Sequence, residues 1–238
     1  MKSLVTRQAL VTGGTRGIGL AIAEALLEAG HRVIVTGRSA VGRAPRNCEY
    51  LACDFSDTGA LESFAAQVAE LELSILVNNA GVNKVGPLAG YDLADFVRIQ
   101  QVNLTASFLL CRAVIPGMRE RRFGRIVNVA SVFGVVSKPG RFAYSASKSG
   151  LMGLTRALAS EAAVDQVLVN GIAPGFVDTA LTKAVLGDEG IAEMVGQIPM
   201  RRLAQPQEIA RCVRFLTSEE NSYMTGQTIV VDGGFTSV

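Results

Sequence analysis

Gln8-Ala-Leu-Val-Thr12 runs straight into Gly13-Gly-Thr-Arg-Gly-Ile-Gly19, after which Leu20, Ala23, Leu26 and Leu27 recur at helical spacing until Gly30. A short apolar run, a glycine-rich turn and an apolar-faced helix stopped by glycine make the opening of a strand-helix-strand unit. In such a unit the backbone N–H groups of the loop, with the partial positive charge of the helix N-terminus, receive a pyrophosphate. The spacing is Gly13-x-x-x-Gly17-x-Gly19 rather than the usual G-x-G-x-x-G. The loop alone is therefore compatible with a phosphate site and equally with tight packing in a parallel sheet.

The alternation set up by this unit continues to the C-terminus. Arg32 to Thr36, Tyr50 to Cys53, Ser74 to Asn78, Arg125 to Ala130, Val167 to Ile172 and Thr228 to Val231 are short, mostly apolar runs. Between them Leu61 to Leu71, Leu93 to Arg121, Tyr144 to Ala163 and Gln207 to Leu216 carry helical periodicity, and Pro206 suits a first helical turn. Strands that are apolar on both faces need helical crossovers. The expected fold is thus α/β: a single Rossmann-type doubly wound domain over residues 1–238, with a seven-stranded parallel sheet and helices on both faces. Ligands then bind along the C-terminal edge, where the strand order reverses. Residues 176–203 have weak periodicity and glycines at 187, 190 and 196, which predicts an irregular substrate loop.

With 238 residues, 49% of them hydrophobic, the chain can bury one large core. Its net charge of +2 gives no case for a nucleic-acid partner, and the Arg119 to Arg125 cluster reads as a helix C-terminus with solvated cations. No apolar run is long enough to span a bilayer. Met1-Lys-Ser-Leu continues into the glycine loop without a cleavage pattern, which leads to the expectation of a cytoplasmic protein. Cys48, Cys53, Cys111 and Cys212 are scattered without metal spacing and read as reduced packing residues. No metal site is expected, and His31, the one histidine, reads as a surface residue at a helix end.

Tyr144 and Lys148 stand four residues apart, with Ser131 thirteen residues before the tyrosine. On a helix this spacing puts phenol and ammonium on one face, where the ammonium favours the phenolate and fits the phenol to give its proton to a carbonyl oxygen. The same pair is also a common exposed helical couple. The second expected strand ends in Gly37-Arg38, about twenty residues after the loop, where an NAD site places a carboxylate on the ribose. Gly37 removes that acid, and Arg38 with Arg16 offers two guanidinia to a 2′-phosphate, which points to NADP(H) unless both are only solvated surface arginines.

Thr12-Gly-Gly-Thr-Arg-Gly-Ile-Gly19, Asn78-Asn-Ala-Gly81, Asn103, Ser131, Tyr144-x-x-x-Lys148 and Pro174-Gly175 occur in an order that resembles the classical short-chain dehydrogenase/reductases from about Gln8 to Gly234. Ile198-Pro-Met-Arg-Arg-Leu203, Gln207-Glu-Ile-Ala210 and Thr225-Gly-Gln-Thr-Ile-Val-Val-Asp-Gly-Gly234 resemble the 3-oxoacyl-acyl-carrier-protein reductases. The resemblance implies a catalytic group of Asn103, Ser131, Tyr144 and Lys148. It implies that cofactor is held by Gly13, Thr15, Arg16, Gly17, Ile18, Gly19, Gly37, Arg38, Asp54, Asn78, Ala80 and Gly81. Tyr144, Lys148, Pro174, Gly175, Val177 and Thr179 complete that implied set. Asp54 is also readable as a turn cap, Asn78 as a strand end and Ser131 as a turn residue. Asn103 marks either a helix irregularity that holds a proton-relay water, as the resemblance implies, or a locally bonded helix asparagine.

The resemblance further implies a homotetramer, to which the apolar surplus of Leu104, Phe108, Leu109, Leu151, Leu154 and Leu158 would contribute. For an acyl carrier protein partner it implies a cation before the fifth strand, matched by Arg122, and a second where Asp165 stands instead. That departure weakens attraction to an acidic carrier, leaving Arg119, Arg121 or Arg125 for docking. Three functions follow: an NADPH-dependent carbonyl reductase acting on a 3-oxoacyl thioester, an alcohol or sugar dehydrogenase acting oxidatively, and a non-catalytic dinucleotide-binding regulator. The intact Asn103, Ser131, Tyr144 and Lys148 disfavour the regulator.

Overall fold

The apolar runs become seven strands: β1 Gln8–Val11, β2 Arg32–Gly37, β3 Cys48–Ala52, β4 Ile75–Asn78, β5 Gly124–Val129, β6 Val167–Pro174 and β7 Thr228–Val231. They form one sheet in the order β3-β2-β1-β4-β5-β6-β7, parallel throughout. The computed structural model describes residues 6–42 and 44–238. The Met1-Lys-Ser-Leu stretch lies outside the described residues.

Strand side chains alternate between faces, so each apolar strand feeds two cores. Leu10, Ile34, Leu76, Ile126 and Val169 meet the helices α2 (Thr58–Ala69), α4 (Ala106–Glu120) and α5 (Phe142–Ala162). Their neighbours Ala9, Val11, Val33, Val35, Val77 and Val127 meet α1 (Gly17–Glu28) and α7 (Pro206–Thr217) on the other side. Leu10, Leu76, Ile126 and Val127 have no measurable exposure, and each such burial is worth about 1.5–3 kcal/mol. Because β1 lies between β2 and β4, the crossovers leave it in opposite directions and open a crevice at the C-terminal ends of β1 and β4.

Three expectations change. The helix expected over 93–121 is α3 (Leu93–Gln100) joined to α4 by a π-helical turn, Gln101–Thr105, centred on Asn103. The segment 176–203 is mostly helical: α6 spans Ala180–Gln197 and is broken at Gly187, whose φ is 64°. Its pattern is weak because Met194 is its one fully buried residue and three glycines interrupt it. Arg125 is also not a solvated cation. It lies in β5, 7% exposed, and donates to the carbonyls of Gly124, Gln166, Ser218 and Asn221.

Of the six residues expected to form an apolar surplus, Leu109 and Leu151 are core and Phe108 is exposed. Leu104 packs on Gly150, where a Cβ would come within 2.9 Å of it. All four cysteines are free, Cys53 and Cys111 buried and Cys48 and Cys212 half-buried. Among the described residues, no helix is long and apolar enough to cross a membrane.

Candidate active site

The packing reading of the glycine loop is visible directly. Gly13 and Gly17 have φ of 63° and 56°, a region that residues with a Cβ rarely adopt. A Cβ on Gly14 would stand 2.6 Å from Val35 Cγ1, and one on Gly19 would stand 2.3 Å from the Gly13 carbonyl oxygen. Gly13 N–H donates to Thr36 Oγ1 at 3.0 Å, tying the loop to β2. α1 then begins at Gly17 behind Arg16, whose side chain makes no capping bond, so the first-turn N–H groups face the crevice uncapped by a side chain. Thr15 is half-buried in the loop, and Ile18 anchors the first turn against the α1–α7 core. From the far side Thr179, the N-cap of α6, closes over this point: a Cβ on Gly17 would meet its Cγ2 at 3.5 Å.

The ends of β1 and β4 are clipped together by residues that sequence reasoning left out of the site. Thr12 Oγ1 accepts from the N–H groups of Asn79 and Ala80 at 2.9 Å each, and Asn79 Nδ2 donates to the Thr12 carbonyl at 2.8 Å. A hydroxyl closing one strand beside an amide closing its neighbour was the signal available. Asn78 instead turns inward, donating to Asn128 Oδ1 at 2.8 Å, and Asn128 donates to Thr155 Oγ1. A Cβ on Gly81 would lie 3.4 Å from Asn103 Oδ1 and 3.6 Å from Lys148 Nζ, so glycine keeps that space open.

At the end of β2, Arg38 is exposed, and neither it nor Arg16 makes a hydrogen bond or ion pair among the described residues. Asp54 follows β3 and lies close enough for Arg38 to help hold its carboxyl below the usual range, after the larger effect of two hydrogen bonds from Ser56. The turn-cap reading of Asp54 is thus present whatever else it contacts. Gly37 has a packing reason as well as an electrostatic one. A Cβ there would stand 2.7 Å from Tyr50 Oη, and Tyr50 is fixed by donating to the Ser39 carbonyl at 2.6 Å. Beyond β6, Pro174 ends the strand, Gly175 packs against Asp232 at a distance that excludes a side chain, and Val177 bridges to Ala204.

Ser131, Tyr144, Lys148 and Asn103 converge at the ends of β4 and β5. Ser131 begins the turn after β5, and its Oγ accepts from Phe133 N–H at 3.2 Å, which leaves its proton free to donate. Lys148 is 3% exposed and donates to the Val129 carbonyl at 2.7 Å. Asn103 is fully buried, its Oδ1 accepting from Val82 N–H at 2.8 Å and its Nδ2 donating to the Val82 carbonyl and to Ser147 Oγ. Its bonds are long-range, and the irregularity is the π-helical turn. Ser147 Oγ in turn donates to the Tyr144 carbonyl, so the asparagine braces both the β4 loop and the first turns of α5.

The lowering of the phenol that the Tyr144–Lys148 spacing suggested is outweighed by burial in this pocket. Burial pushes Tyr144 up, opposed by the Ser131 hydroxyl and then by the Arg141 guanidinium. Lys148 Nζ lies 5.7 Å from the tyrosine ring centroid and is engaged by the Val129 carbonyl, and burial draws it down to about 8. The arrangement offers a carbonyl oxygen two hydroxyl donors in a desolvated pocket with a lysine behind them.

A family model described as Enoyl-(Acyl carrier protein) reductase matches residues 13–236. The 3-oxoacyl-[acyl-carrier-protein] reductase of Vibrio cholerae is 41% identical over 241 residues, covering 98% of each chain. A Beutenbergia cavernae structure described as an NAD(P) dependent gluconate 5-dehydrogenase, with NADP bound at low occupancy, superposes with a TM-score of 0.92 at 36% identity and 99% coverage of both chains. A Sinorhizobium meliloti structure described as a short-chain alcohol dehydrogenase gives a TM-score of 0.91 at 40% identity, covering 98% of each chain. With this sequence and structural agreement over nearly its full length, the chain belongs to the short-chain dehydrogenase/reductase family of oxidoreductases.

Proposed function

We propose that the protein is an NADPH-dependent carbonyl reductase in which Tyr144 gives its proton to the oxygen of a ketone, with 3-oxoacyl compounds as the substrate class. The observation that carries this reading is the convergence of Tyr144, Ser131 and Lys148 in one buried pocket braced by Asn103. NADPH supplies the hydride when bound. Gly13, Thr15, Arg16, Gly17, Ile18 and Gly19 would hold its phosphates at the start of α1, Arg38 its 2′-phosphate, and Pro174, Gly175, Val177 and Thr179 its nicotinamide end. Ser131 donates to the ketone oxygen beside Tyr144, and Lys148 holds a proton in the same pocket to support the phenolate left behind.

Carrier linkage has less support than the 3-oxo class. Arg119 is paired with Glu161 at 2.9 Å and Asp165 at 3.1 Å, Arg121 donates to the Leu73 carbonyl, Arg122 donates to the Val164 carbonyl, and Arg125 is buried. An oxidative role on an alcohol or sugar acid is favoured by the descriptions of the Beutenbergia cavernae and Sinorhizobium meliloti relatives. Assaying NADPH and NADH with 3-oxoacyl chains as free acids, CoA esters and carrier conjugates, and NADP+ with gluconate, separates these readings. Reduction of no 3-oxo compound would refute the proposal.

A further inference from the structure

Among the described residues two arginines are buried, Arg125 in β5 and Arg141 at the start of α5, and they differ in one respect. Arg125 donates to four carbonyls. Arg141 is 5% exposed, yet its guanidinium makes no hydrogen bond or ion pair among the described residues, and its Nε is fully enclosed without a partner. What it does touch is aromatic: its guanidinium carbon lies 5.1 Å from the Phe133 ring centroid. Phe133 packs with Phe176, Met194 and Tyr144 beneath α6, and the ionisable group acting on Arg141 is Tyr144.

A buried, unpaired cation is strongly disfavoured unless something anionic completes it. Here the position adds to the cost, because Arg141 is the N-cap of α5, where the helix dipole is already positive, and the first turn carries no acidic residue. Lys138, from the same loop, makes no ion pair among the described residues and donates to Met194 Sδ at 3.5 Å. The backbone is held by Gly86 N–H donating to the Gly140 carbonyl, and Arg141 N–H donates to the Lys138 carbonyl.

We propose that Arg141 is the anion-recognition residue of the substrate pocket, and that the substrate is a 3-oxo acid whose free carboxylate pairs with it while Tyr144 serves the ketone. Arg141 and Tyr144 stand three residues apart at the start of α5 and act on one another electrostatically, so a compact substrate with a carboxylate next to its ketone reaches both. The apolar wall of Phe133, Phe176 and Met194 excludes water and strengthens the pair. This rests on the carbonyl-reductase reading and narrows it: a thioester or ester offers the guanidinium a neutral carbonyl instead of an anion.

The test is binding of acetoacetate and methyl acetoacetate to the wild-type protein in the presence of NADP+, which gives no turnover, followed by NADPH-dependent kinetics on both compounds. The wild type should bind the acid at least about tenfold more tightly than the ester. Arg141→Gln should abolish that preference and Arg141→Lys should restore part of it, with the thermal midpoint reporting that each variant is folded. Equal binding of acid and ester by the wild type, or an Arg141→Gln variant that retains the preference, overturns the proposal. Preferential binding of the acid without reduction of either compound would uphold Arg141 and refute the reductase reading instead.

Discussion

Replacement of Arg38 with alanine should cost NADPH affinity and leave NADH affinity nearly untouched. Arg38 is exposed at the end of β2 and makes no hydrogen bond or ion pair among the described residues, so its loss leaves no buried group unsatisfied. A charge-assisted hydrogen bond contributes about 1.5–3 kcal/mol, and solvent exposure places this one at the lower end. About 1.5 kcal/mol is roughly a tenfold loss in affinity. The measurement is titration of the protein with each nucleotide at two ionic strengths, and salt should narrow the wild-type difference as it screens the exposed charge. Adding Gly37→Asp supplies the ribose-binding acid, but the new Cβ meets Tyr50 Oη at 2.7 Å. That overpacking should cost about 1–3 kcal/mol of stability, so the switch to NADH needs Tyr50→Ala alongside it. Equal NADPH and NADH binding by the wild type, or an equal loss of both in Arg38→Ala, would refute the reasoning.

Lys148 gives a pH signature. Its folded pKa of about 8 lies below the unfolded 10.5, so the folded state binds fewer protons between those values and stability rises with pH there. Wild-type stability relative to Lys148→Met should be flat below pH 8 and climb above it, by at most about 3 kcal/mol. A flat difference in thermal midpoint from pH 7 to 10 would contradict this. The assembly is expected to be a homotetramer, drawing on exposed Phe108 of α4 and exposed Tyr223 and Val238 near the C-terminus. Sedimentation at micromolar concentration that returns a monomer would remove that expectation.

The architecture was legible because parallel strands buried on both faces declare themselves as unbroken apolar runs, and the glycine loop fixed the first crossover. α6 was not, because a helix with one buried residue and three glycines shows no apolar stripe. The candidate catalytic residues could be proposed from spacing and resemblance, but not their electrostatics. Lys148 stands four residues from Tyr144, yet the Val129 carbonyl takes its proton donor, and a neighbour three residues the other way, Arg141, acts on the phenol. Thr12 and Asn79 lie within the quoted motifs but outside the expected site, because their role is to each other across two strands, a pairing that no single stretch of sequence displays. Asn103 lay between these cases: its poor fit to a helix was visible, and the π-helical turn around it is the physical reason.

The central claim is that Tyr144 is the proton donor in a ketone reduction. Tyr144→Phe removes the hydroxyl and keeps the ring that packs against the Phe133 and Phe176 group. Single-turnover reduction of a 3-oxo substrate should fall by about 10²–10⁴-fold, while NADPH binding, measured on the same preparation, stays within about twofold of wild type. A variant that binds NADPH normally and retains more than about a tenth of the wild-type rate, short of any general-acid effect, would contradict the account.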